Sequence, residues 1–180
     1  MRDRAFASWL GTVTVALGLA AVAHGQAPTG LIPIGRPRVQ EGLRVTAAYM
    51  VGAVPLEPAA RPAARPVEGT LTIHLEIEVE AVHDNPYGLE ADDAVPYLRI
   101  PFALTHGPTG RRVEGRLAPM VSQDGFHYGA NVALPGSGVY TLSIEVRPPE
   151  GLARHTGPRR GVRPWWRPFT LSWRFTHPPT

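Results

Sequence analysis

The stretch TLTIHLEIEVEAV, running from Thr70 to Val82, decides the fold class. Leu71, Ile73, Leu75, Ile77 and Val79 alternate with Thr70, Thr72, His74, Glu76, Glu78 and Glu80. Successive side chains of an extended chain point to opposite sides, so a period of two places the apolar set on one face of a half-buried strand. A helix would need the apolar residues three and four apart instead.

Working outward, further strands are predicted at Val95 to Thr105, Arg111 to Leu117, His127 to Leu134, Val139 to Arg147 and Phe169 to Thr176, and a short apolar run covers Leu43 to Val51. Turn-forming clusters separate them: Asp84-Asn85-Pro86-Tyr87-Gly88, His106-Gly107-Pro108, Asp124-Gly125 and Pro135-Gly136-Ser137-Gly138. Short strands at regular spacing, without a helical period, predict an all-β, immunoglobulin-like antiparallel sandwich of about seven strands. Residues 43–177 form this single domain. Residues 28–42, rich in Pro and Gly, are expected to lead into it irregularly, and Pro55 to Pro66 reads as a loop of polyproline character.

Residues 1–27 read as a signal peptide. Arg2 and Arg4 precede an apolar stretch from Trp9 to Ala23, and Ala21-Val22-Ala23 or Ala23-His24-Gly25 offers the small residues a signal peptidase needs. The stretch is shorter than the ~20 apolar residues of a membrane span, so the expectation is export, cleavage and a soluble protein outside the cytoplasm. With 19 Gly and 20 Pro in 180 residues the chain is loop-rich, yet below the roughly 25–30% that marks low complexity. A 43% hydrophobic content supplies a real core. The absence of Cys excludes disulfides, thiolate metal sites, Cys nucleophiles and a lipidated Cys. All 18 basic residues are Arg, but a net charge of +3 is too weak and dispersed for a nucleic-acid surface.

Three segments could carry chemistry. On the alternating strand, His74, Glu76, Glu78 and Glu80 share one face. Such a column is commonly a solvated sheet face, although a nearby cation would relieve the repulsion among its carboxylates. In Pro119 to Asn131 (PMVSQDGFHYGAN), a four-residue turn at Ser122 to Gly125 would set Met120 opposite His127. Directly opposed side chains have Cβ atoms roughly 5 Å apart, close enough for a thioether and an imidazole to share a metal ion. A core methionine beside a hydrogen-bonded histidine fits the same spacing. The third segment joins Arg154-His155-Thr156-Gly157 to Gly161-Val162-Arg163-Pro164-Trp165-Trp166. Its arginines and paired tryptophans suit an anionic ligand or a membrane surface, or a surface loop closed by Trp packing. His24, His83, His106 and His177 read as exposed polar residues. No Ser-His-Asp order, phosphate loop or zinc-protease spacing occurs.

Together these segments resemble the bacterial periplasmic iron-transport protein family of small exported β-sandwich proteins that bind copper and ferrous-type ions. The matching residues are IHLE (73–76), NPYG (85–88), VPYL (95–98), PMVSQDGFHYGANV (119–132), and RHTG with GVRPWW (154–166), spread from about Tyr49 to Phe175. The resemblance implies a copper site of His74, Met120, His127 and His155. It also implies Glu76 as a further ligand for a harder ion, Asp124 close by, a homodimer, and an inner-membrane iron permease as partner. The chain departs from the pattern where Ala118 replaces the first Met of Met-Pro-Met, Glu80 replaces a His and Phe126 replaces a Pro. Gly157-Pro158-Arg159-Arg160 stands in place of acidic residues.

Ligand chemistry agrees with that implication. Thioether and imidazole suit copper, and a carboxylate extends the site towards iron(II) or manganese(II). The leading expectation is a non-enzymatic periplasmic metal-binding protein that assists high-affinity iron uptake. The alternative is a secreted immunoglobulin-like interaction or adhesion module that uses Trp165, Trp166 and the Arg loop as its contact surface. A copper oxidase ranks last, because it would need a second redox centre that the sequence does not display.

Overall fold

A computed structural model describes residues 30–57 and 71–178 of the chain. The expected signal peptide and most of the Pro55 to Pro66 loop lie outside the described residues. Among the described residues there are nine strands and no helix. They are β1 (Ile32–Pro33), β2 (Arg38–Gln40), β3 (Leu43–Val51), β4 (Thr72–Ala81), β5 (Ile100–His106), β6 (Arg112–Ser122), β7 (Gly125–Ala133), β8 (Gly138–Val146) and β9 (Phe169–His177).

Every strand pairing is antiparallel, and the strands run in the order β1-β3-β4-β7-β6-β5-β8-β9, with β2 also pairing β3. Strand β6 is the corner. Its residues Arg112 to Leu117 pair with β5, and Ala118 to Ser122 pair with β7. The sheet folds over there into two layers, β1/β2-β3-β4-β7 and β5-β8-β9, which share β6. The alternating stretch became β4, and its Ile73, Leu75, Ile77 and Val79 are buried against the other layer with Phe102, Leu104, Leu142, Ile144 and Trp173. The free edges of the layers also meet. Tyr49 of β3 packs on Phe175 and His177 of β9, and the Trp173 indole N–H donates to the carbonyl of Arg36.

The all-β antiparallel sandwich agrees with the sequence reading, with three differences. The stretch 28–42 was expected to be irregular, but it contributes β1 and β2 along one edge of β3. These strands have two and three residues, too few for a period of two to be legible. Strand β6 also runs on to Ser122, past the expected Leu117, because its second half serves the other layer. Residues Val95 to Arg99, expected to open the strand that runs to Thr105, instead lie before β5 as a loop. The Tyr128 hydroxyl fastens that loop by donating to the Val95 carbonyl (2.7 Å) and accepting from the Leu98 N–H (3.0 Å). Burial pushes the Tyr128 phenol up to about 12, so it stays a donor throughout the working pH range.

Candidate metal centre

The face of β4 that points away from the core carries His74 and Glu76, yet they are 1% and 7% exposed. The register explains how this face is built. His74 lies between Met50 of β3 and Asn131 of β7. In the next row Glu76 lies between Ala48 of β3 and Gly129 of β7, and Gly129 in turn faces Ala118 of β6. The carboxylate therefore stands in a row of small side chains, and taller residues flank it in the neighbouring rows. In the β6–β7 hairpin, Ser122 pairs with Gly125 and Met120 with His127, as the four-residue turn predicts. Gly125 has φ 112°, a left-handed value that glycine adopts without steric cost.

Gly129 is the gap over which the side chains converge. A Cβ there would lie 2.8 Å from His74 Nε2 and 3.0 Å from Met120 Sδ, so both donor atoms flank the space that glycine leaves open. His74 Nε2 and His127 Nε2 stand 3.6 and 3.8 Å from Glu76 Oε1, too far for hydrogen bonds. Two donors each about 2.1 Å from one ion would be separated by about 3.0 to 4.2 Å as their angle opens from 90 to 180 degrees. The observed spacings fall in that range. His74, Glu76 and His127 form a group whose ligand atoms all lie within 4.8 Å of one another, and the soft Met120 sulfur sits at its edge. Two imidazoles, a carboxylate and a thioether fit a copper or ferrous ion.

The electrostatics point the same way. Burial holds His74 below its ordinary pKa, partly offset by its hydrogen bond to Asn131 and by the Glu76 charge. Burial likewise lowers His127, against a hydrogen bond from its ring to the Gly125 backbone and the charges of Glu78 and Asp124. Neutral imidazoles are the ligating form. Burial raises the Glu76 carboxyl above the usual range, with His74 countering and Asp124 reinforcing the shift. Burial also raises Glu78, helped by the neighbouring Glu80 and Glu76 charges. A cation placed between these groups would relieve the cost of keeping the carboxylates charged in a dry setting.

Asp124 is exposed at the hairpin tip, where its backbone N–H donates to Ser122 Oγ. Glu80 is engaged elsewhere, in a fork with Arg44, which also pairs with Asp92. His155 is exposed and lies outside the His74–Glu76–His127 group. Its loop closes on itself through Val162 N–H to His155 O and Gly161 N–H to Gly157 O. Trp166 is buried, donates to the Val146 carbonyl and packs on Tyr87, while Trp165 is half-buried against the same ring. Trp166 therefore closes the sandwich, and Trp165, half-buried, lies under the Arg154 guanidinium. His106 and His177, expected to be exposed, are buried. His106 bonds Thr109 Oγ1 and the Ser137 carbonyl, and His177 reaches the Tyr49 hydroxyl.

Sequence reasoning gave no role to Gly129 or Asn131. The signal was present in their spacing, because His127, Gly129 and Asn131 recur at every second position and must share the face of His127.

A sequence model of the Fe2+ transport protein family matches residues 30–178. The chain belongs to that family. A UPF0423 protein of Brucella abortus is 37% identical over 162 residues, which cover 87% of this chain and 86% of the relative. The 34 kDa membrane antigen of Treponema pallidum is 33% identical over 84% of this chain and 76% of its own length. Among solved structures, the copper-reconstituted P19 protein of Campylobacter jejuni superposes with a TM-score of 0.76 at 34% identity, covering 83% of this chain and 97% of that one. A copper-bound variant of FetP from uropathogenic Escherichia coli strain F11 gives the same TM-score and identity, covering 83% and 99%. FetP was also solved as isolated after recombinant expression in the periplasm of Escherichia coli.

Proposed function

We propose that this chain is an exported, periplasmic metal-binding protein that captures copper and ferrous iron and serves as an accessory component of high-affinity iron uptake. The observation that carries the reading is the convergence of His74, Glu76, His127 and Met120 on the space above Gly129. Copper-bound relatives of the same family support it. His74, His127 and Met120 hold copper, and Glu76 joins for iron(II) or manganese(II), whose preference for oxygen is greater. His155, exposed and outside that group, completes the ligand set through pairing of two chains as a homodimer. The ion then passes to an inner-membrane iron permease. The protein performs no catalytic step of its own. Its work is selective capture and release, and residues 1–27 act as the signal peptide.

Burial of Trp166 removes the centre of the contact surface that an adhesion module would need, so that second reading is not favoured. The decisive experiment is metal analysis of the purified protein with copper titration of the wild type, His74→Ala and His127→Ala. Stoichiometric copper lost in both variants is expected, and no metal in the wild type would refute the reading. Mixing His155→Ala with His74→Ala chains tests the shared site, since recovery of copper binding in the mixture is the expected result. Loss of iron uptake in a strain lacking the protein would establish the transport role.

A further inference from the structure

Asn131 stands directly opposite His74 across the β4–β7 pair. Its carboxamide is held at two points by one residue, because Nδ2 donates to the Val54 carbonyl (2.8 Å) and Oδ1 accepts from the Val54 N–H (3.0 Å). Flipping the amide would set donor against donor and acceptor against acceptor, so its orientation is fixed. The same Oδ1 lies 2.9 Å from His74 Nδ1. An oxygen of this kind only accepts, so the bond requires the proton on Nδ1. A neutral imidazole carries one ring proton. Nε2 is therefore left with its lone pair, and Nε2 is the nitrogen beside Glu76 Oε1 and over Gly129.

Resting on the metal-centre reading above, we propose that Asn131 is a positioning residue that fixes the tautomer of His74 and so decides which nitrogen meets the metal. A free histidine side chain prefers its proton on Nε2. That tautomer would aim an N–H into the ligand group and repel a cation. The clamp reverses the preference before any ion arrives, as outer partners of metal-binding histidines generally do. Its origin lies outside the β4–β7 pair. Val54 follows β3, and the chain turns there at Gly52, whose φ is 96° and whose N–H donates to the Thr72 carbonyl (2.8 Å). The order of control is thus the backbone of residues 52–54, then the Asn131 amide, then the His74 ring.

The test reads the metal-free protein, so its outcome is independent of whether copper is the physiological cargo. Two-bond nitrogen–proton correlation spectra of histidine-labelled protein at neutral pH should show the His74 proton on Nδ1. In Asn131→Leu it should move to Nε2, and copper affinity measured by competition should fall by about 10- to 100-fold. Asn131→Asp keeps an acceptor beside Nδ1, although its second oxygen meets the Val54 carbonyl where the amide N–H donated. It should retain the Nδ1–H form and recover most of the affinity, whereas a merely structural role for Asn131 would give no such rescue. If Asn131→Leu does not fold, Asn131→Ser, too short to reach the ring, replaces it. A wild-type His74 with its proton on Nε2, or a tautomer unchanged in the Leu or Ser variant, would overturn the proposal. A normal tautomer pattern in a wild type that binds no copper would instead sink the metal-centre reading and leave the clamp standing.

Discussion

The sandwich has two outward faces built by the same alternation, and they have opposite fates. On the β5-β8-β9 layer the outward residues stay wet. Arg112 pairs with Glu114 along β6, Arg147 pairs with Glu145 beside β8, and a shallow hollow of about 190 Å³ runs over Arg112, Glu114, Ser143, Glu145 and Thr170. On the β3-β4-β7 layer the outward residues His74, Glu76 and His127 are buried, and the separations from Glu76 to the two rings are too long for hydrogen bonds. Charges on the wet face are satisfied by neighbours and water. The dry face instead gathers two neutral rings and a carboxylate that make no hydrogen bond to one another, an arrangement that costs stability unless something else is bound there.

The largest effect that tests this contrast comes from removing a donor on the dry face. His127→Ala should abolish tight copper binding, a loss well beyond the about 10- to 100-fold expected for an outer partner. Arg112→Ala on the wet face should leave copper affinity unchanged and stability within about 0.5 kcal/mol of the wild type. Isothermal titration and thermal melts of both variants measure the contrast. Equal copper affinity in the two variants would erase it.

Gly129→Ala probes the shape of the dry face without changing its charge. The added methyl would press on His74 Nε2 at 2.8 Å and Met120 Sδ at 3.0 Å. One of the two must swing away, which predicts a loss of copper affinity together with overpacking of about 1–3 kcal/mol. Unchanged affinity would mean that the donors do not converge over Gly129. On the other layer, Gly110 has nothing within 4 Å of its Cβ position. Its left-handed φ of 69° makes Gly110→Ala a control for backbone strain alone, with copper binding intact.

Glu76→Gln should separate binding from stability. Burial raises the Glu76 pKa in the fold, so the unfolded chain gives up that proton more readily than the folded one. Ionised Glu76 therefore opposes folding at neutral pH, and the contribution is relieved as pH falls towards the ordinary carboxylate value near 4.5. The metal-free Gln variant should melt higher than the wild type at pH 7, by a few degrees, and should bind iron(II) more weakly. A lower melting temperature would show that Glu76 is already stabilised by a partner, removing the need for a cation.

These contrasts also mark how far the sequence could be read. The strand at Thr70 to Val82 and the opposition of Met120 to His127 follow from a period of two and a turn of known length, both local properties. Alternation states which side chains leave the core, but not whether water reaches them. The burial of His74 and Glu76 depends on what β3 and β7 set beside them, which the register between distant parts of the chain decides. Spacing puts Asn131 on the face of His127, but its link to His74 depends on Val54, again a distant contact. His106 and His177 read as exposed because nothing local reveals their burial, which comes from contacts with distant residues such as Ser137 and Tyr49, whereas the Trp packing that closes the sandwich was among the readings of its loop. The short β1 and β2 carry too few residues to announce themselves.

The smallest expected effect lies between the layers, at His177. Its Nδ1 is 3.1 Å from the Tyr49 hydroxyl, its ring meets Tyr49 edge-on, and burial alone lowers its pKa. Tyr49, itself raised by burial, stays neutral, and no carboxylate contributes to the His177 shift. The unfolded chain therefore binds a proton near pH 6.5 more readily than the fold does, and the stability that a neutral His177 contributes above that value is lost as pH falls below it. Metal-free His74 and His127 titrate with the same sign, whereas copper bound there would hold them deprotonated. Copper-loaded protein should thus show a residual acid loss below about pH 6.5 that His177→Asn removes, and metal-free protein a steeper loss that the same substitution only reduces. Thermal melts across that range measure both slopes. Identical slopes with and without copper would mean that the dry face of β4 and β7 does not hold the ion.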